Sequence, residues 1–99
     1  MSEKLLRLVW TNFPAGGSRL QVLQAIAEAA NEQGNCYPSL TRLALGARMS
    51  RSSTWRALRR LRRERWIVTD RVLGRGGVLI LQINLPKLAK SGRAKAPNH

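Results

Sequence analysis

With 99 residues, 43% of them hydrophobic, the chain can bury one modest core, which excludes a large domain and disorder throughout. Eighteen Lys and Arg against five acids give a formal charge of +13. That self-repulsion points to a polyanionic partner, either nucleic acid or an anionic surface. No apolar run approaches the ~20 residues that span a bilayer, no signal-peptide order opens the chain, and the one cysteine, Cys36, cannot form an internal disulfide. The expected setting is therefore the cytoplasm, at the nucleoid, with no membrane partner.

In chain order, residues 1–17 form an amphipathic segment in which Leu5, Leu6, Val9 and Trp10 fit a helix face, a short strand being the alternative. "PAGGS" breaks it. Ser18 opens a helix with a capping-box partner at Gln21, and Leu20, Leu23, Ile26, Ala27 and Ala30 share its inner face. Gly34 is the expected terminator of that helix. "CYP" is a short extended piece, because Pro38 disfavours helix at Tyr37. Ser39 caps a second helix with Leu40, Leu43, Ala44 and Ala47 inward. After a turn near Arg48 and Met49, Ser50 caps a third helix that runs to about Arg65. Its wheel places Thr54, Ala57, Leu58 and Leu61 inside, and Ser52, Trp55, Arg56, Arg59 and Arg63 on the opposite side. "WIVTDRVL" and "VLILQINL" read as two antiparallel strands about a "GRGG" turn, with Leu79, Leu81 and Ile83 on one face of the second. Pro86 ends that strand, and residues 86–99 read as a basic, mostly disordered tail.

Two helices joined by about three residues make a helix-turn-helix, and a hairpin directly after them makes a wing. The fold class expected for residues 18–85 is therefore α+β, a winged helix-turn-helix with a three-helix core. The stretch from Arg19 to Leu85 resembles the winged helix-turn-helix domains of bacterial, phage and plasmid replication and regulatory proteins. A "G-x-C-[FYW]-P-S" lead-in is matched by Gly34, Cys36, Tyr37, Pro38 and Ser39. The first motif helix is matched by Ala44 and the opening of the recognition helix by Ser50. An "R-A-L-x-x-L" run is matched by Arg56, Ala57, Leu58 and Leu61, and the wing tip by Gly74 to Gly77. Two positions depart. Arg48 stands where such motifs carry a turn glycine, so either the turn accommodates it or Gly46 shifts the turn. Thr54 stands where a core valine is usual.

Catalysis has little to work with. The only histidine is His99, and Glu3, Glu28, Glu32, Glu64 and Asp70 are scattered over different elements. No acid–base pair, activated nucleophile, metal-ligand cluster or phosphate loop is legible, so neither enzyme activity, cofactor nor small-molecule ligand is expected. The third helix carries the signal. Between Arg42 and Arg75 eleven Arg face only Glu64 and Asp70, whereas a merely solvated face mixes the signs. The expected partner is double-stranded DNA, with Ser50, Arg51, Ser52, Trp55, Arg56 and Arg59 toward base edges and Arg63 with its neighbours toward phosphate or the helix dipole. Arg71 and Arg75 would act from the wing. The sequence leaves open a homodimer or cooperative oligomer on DNA. It also leaves open a protein-interaction or self-assembly role for Trp55, and binding of RNA or single strands.

Overall fold

A computed structural model of the protein describes residues 3–69 and 79–95. The amphipathic opening is a helix, α1 (Glu3–Asn12), with Leu5, Val9 and Asn12 buried at i, i+4 and i+7 spacing. Phe13 N–H extends its bonding to Val9 O, and Pro14 follows. The next helix, α2 (Gly17–Ala29), buries Val22, Leu23, Ile26 and Ala27. The expected capping box does not form. The extended Gly16 occupies the capping position without a side-chain bond, which places Ser18 inside the first turn. Gln21 instead donates to Ala47 O across to the neighbouring helix, at 3.4 Å.

Gly34 does not terminate α2, which closes at Ala30. It belongs to a turn built by Asn31, whose Oδ1 accepts from Gln33 N and Asn35 N at 3.0 Å each. Gly34 has φ +86, and a Cβ there would lie 3.4 Å from Ile83 O, so the turn is specific for glycine. It delivers the chain into β1 (Asn35–Cys36). The helix-turn-helix follows as α3 (Leu40–Ala47) and α4 (Arg51–Arg63), then β2 (Ile67–Thr69), β3 (Leu81–Ile83) and α5 (Leu85–Lys95). The sequence-based α+β winged-helix class holds, with a larger inventory among the described residues: five helices and a three-stranded sheet.

The sheet order is β1-β3-β2, all antiparallel. Cys36 pairs with Leu81 and Asn35 with Gln82 on one side of β3, while Ile67 pairs with Ile83 and Thr69 with Leu81 on the other. The return strand of the wing is thus central and fastens the lead-in to α3. Strand alternation turns Leu79, Leu81, Ile83 and Cys36 into the core. Burial pushes the Cys36 thiol up to about 11, so it packs as a small hydrophobe. By the same alternation Tyr37, next to Cys36, faces solvent and is 61% exposed. The hairpin tip lies outside the described residues.

The clearest departure is at the C-terminal end. Residues expected as mostly disordered tail include α5, whose Leu88 is only 1% exposed and which packs on α1. Asn84 starts this helix: its Oδ1 accepts from Lys87 N at 3.2 Å. Pro86 falls in the first turn, where a missing N–H costs nothing. Asn12 on α1 then donates to Leu88 O at 3.0 Å, tying the two helices together. Replacing Leu88 by Ala should lower unfolding stability by about 2–5 kcal/mol. Urea denaturation measures this, and a loss near zero would mean that α5 contributes nothing to the core.

Candidate nucleic-acid interface

The candidate surface is built around α4, and both ends of that helix are fixed. At its start, Ser50 Oγ accepts from Ser53 N at 3.1 Å and donates to Ser53 Oγ at 3.0 Å. Its hydroxyl is therefore committed to the cap. Thr54 is fully buried, and its Oγ1 donates to Ser50 O at 2.8 Å, which satisfies the hydroxyl inside the core and explains how threonine fits where a valine would pack.

The turn before α4 is made by Arg48 itself. Its φ of 58 and ψ of 45 are left-handed, while Gly46 stays within α3. Arg48 N donates to Leu45 O and Met49 N to Ala44 O, the paired bonds of a Schellman termination. Gly46 lies where α3 passes close to α2: a Cβ there would sit 3.4 Å from Ala25 Cβ. The end of α4 repeats the device. Arg65 has φ 67, its N–H reaches Arg62 O, and Trp66 N–H reaches Leu61 O. Each left-handed arginine costs about 1 kcal/mol that a glycine would not.

Beyond this second turn a cluster locks α4 to the rest of the domain. Glu64 pairs with Arg19 of α2 at 2.5 Å and with Arg60 at 3.3 Å. Its backbone carbonyl accepts from Lys87 Nζ of α5. Lys87 also lies 4.5 Å from the ring centre of Trp66, which meets Phe13 edge-on at 4.9 Å. Asn84 Nδ2 donates to Arg65 O at 2.9 Å. Three cations are thereby engaged: Arg19 and the still exposed Arg60 serve Glu64, and Lys87, expected as part of a loose basic tail, is a structural clamp.

The remaining cations of α4 face outward. Arg51, Ser52, Trp55, Arg56, Arg59, Arg62 and Arg63 are exposed, as is Arg65 beyond the helix. Among the described residues the ion pairs are those of Glu64 with Arg19 and Arg60, so Arg51, Arg56, Arg59 and Arg63 have no acidic partner there. The structure gathers Arg51, Ser52, Trp55, Arg56, Arg59 and Arg63 on one helix, with Ser50 at its head. Arg71 and Arg75 lie outside the described residues. Sequence reasoning missed the Arg19–Glu64 pair, which joins residues 45 apart. It also missed the α5 clamp, although Asn84 followed by Leu85 and Pro86 is a legible helix start.

Other surfaces offer less chemistry. Trp10, 62% exposed, borders a cleft of about 270 Å³ with Leu6, Gln24, Glu28 and Arg48. Among the described residues no group of three His, Cys, Asp or Glu could hold a metal ion, and no helix is long and apolar enough to cross a membrane.

Comparison with known proteins agrees with this geometry. A family model of the IclR helix-turn-helix domain matches residues 20–71, more than half of the chain, from α2 to just past β2. Protein YmfN of Escherichia coli (strain K12) is 36% identical over 72 residues. The match covers 68% of this chain and 15% of YmfN, so the chain spans a small part of that relative's length. No solved structure matches.

The Glu64 cluster sets a pH dependence. Partial burial alone would raise its carboxyl, but the hydrogen bonds and charges of Arg19, then Arg60, outweigh that and hold it below its ordinary 4.5. A carboxyl lowered by folding stabilises above its unfolded value and loses that contribution as pH falls through the folded one. The Tm advantage of the wild type over Glu64→Gln should therefore be steady at neutral pH and shrink below pH 4.5. An advantage that persists unchanged to about pH 3 would contradict the pairing.

Proposed function

Because this chain belongs to the family of IclR helix-turn-helix domains, which are DNA-binding regulatory domains, we propose that it is a sequence-preferring double-stranded DNA-binding protein that inserts α4 in the major groove. The observation that carries this reading is the unpaired arginine face of α4, on a helix anchored at both ends. A major groove admits one α-helix, and arginine forks onto the O6 and N7 of guanine. Arg51, Ser52 and Arg56 stand in the first half of α4, where base edges are met, and Arg59 follows about one turn later on the same side. Ser50 contributes by fixing the helix start, whose free N–H groups suit a phosphate. Arg63 lies nearer the end of the helix and suits the phosphate backbone. Arg71 and Arg75 complete the reading as wing contacts to backbone or minor groove.

The role proposed for this binding is regulation of transcription or, as the replication-protein resemblance suggests, assistance to replication or partition of a phage, plasmid or other mobile element. A single recognition helix reads few bases, so the proposal includes a second copy on an adjacent half-site or a cooperative array. Trp10 and Tyr37 support that part: they are 62% and 61% exposed, and they line neighbouring clefts that share Ala25, Glu28 and Gly46.

Gel shifts against a duplex selected from random sequences test the reading. Affinity should fall steeply as salt rises, because binding releases condensed counterions. Arg56→Ala or Arg59→Ala should each remove about 1–3 kcal/mol of discrimination between selected and unrelated duplexes. Arg75→Ala should weaken both about equally. The stoichiometry of the same titration reports the second copy. No duplex binding at micromolar protein and moderate salt would overturn the reading.

A further inference from the structure

Trp55 is the exposed aromatic of α4. It sits one turn from Arg51 and one turn from Arg59, and next to Arg56. It is 37% exposed, and among the described residues its indole has no ring, cation–π or hydrogen-bond partner. The core face of α4 is already complete with Thr54, Ala57, Leu58 and Leu61, so the ring is not displaced from the interior. Its apolar surface faces outward among cations.

What could an indole meet there? In a stacked duplex the base faces are closed, so a ring entering the major groove touches base edges only. Three of the four base edges are purely polar in that groove, and an indole with one N–H would strip water from them while replacing little of their hydrogen bonding. The thymine edge differs: it presents a C5-methyl group. From this, and resting on the DNA-reading role proposed above, we infer that Trp55 is a specificity-determining residue that reads a thymine C5-methyl group in the major groove. The spacing refines the pattern. Arg51 and Arg59 lie four residues to either side, about 6 Å along the helix axis. With α4 along the groove, the thymine is flanked by guanines within about two base pairs on each side.

The test changes the DNA rather than the protein. Each thymine of a bound duplex, selected from random sequence, is replaced in turn by deoxyuridine, which removes the methyl group alone. Wild-type protein should bind about 4-fold more weakly at one thymine per half-site and unchanged at the others, as expected for one buried methyl. Trp55→Ala should bind the thymine and deoxyuridine duplexes equally, and Trp55→Phe should keep part of the difference. A wild type indifferent to every replacement overturns the inference, since no variant has to fold for that result. So does a methyl effect that survives in Trp55→Ala, or a Trp55→Ala protein that loses self-association while keeping the methyl effect. Absence of any duplex binding overturns the DNA-reading role itself, and this inference with it. Duplex binding without a methyl effect overturns this inference alone.

Discussion

The Glu64 carboxylate holds Arg19 and Arg60 together, and the Glu64 carbonyl holds Lys87. The second helix, the end of α4 and the C-terminal helix meet at that one residue. In a chain with five acids and a charge of +13, an acid used structurally must sit where it restrains the most. Here it lies beyond the last turn of α4, where the helix dipole already favours the neighbouring cations. Phe13, Trp66 and Lys87 pack behind it and seal the junction. The outward face can then carry its unpaired arginines without loosening the helix that holds them. Electrostatic strain on the surface is offset by anchoring at the ends.

The two Schellman turns follow the same logic. Arg48 and Arg65 both adopt the left-handed conformation that glycine takes most easily. A glycine would make each turn more stable, by about 1 kcal/mol. Arginine instead keeps a cation at both ends of α4. Thr54 shows a related compromise at the buried face. Its hydroxyl is bonded to the Ser50 carbonyl, so it reinforces the first turn of α4 while filling the volume of a core side chain. Cap, core and turn all converge on the orientation of one helix, which the proposed reading role requires.

Much of this was legible in the sequence, because the strongest signals were periodic and local. Ser39 and Ser50 announce their helices, and both accept the expected cap bonds. Thr54, Ala57, Leu58 and Leu61 repeat at helical spacing and are all buried. Leu79, Leu81 and Ile83 alternate and face the core. What could not be read was long-range or competitive. The pairing of β1 with β3 joins segments over forty residues apart, and no local pattern encodes it. Ser18 and Gln21 match a capping box, but the chain starts that helix at the flexible Gly16, and packing decides between the two starts. The tail reads as disordered from its charge, yet Leu85 and Leu88 are enough to dock it once α1 supplies a surface. On the candidate surface, the sequence identified the exposed arginines but could not separate Arg60, held by Glu64, from those left unpaired.

Central to all of this is the claim that α4 enters the major groove of duplex DNA. Dimethyl sulfate protection on a bound duplex addresses it directly, because guanine N7 lies in the major groove and adenine N3 in the minor. The expected result is protection of clustered guanine N7 atoms within each bound site, lost at individual positions when Arg56 or Arg59 becomes Ala. Binding that leaves every guanine N7 fully reactive would contradict it.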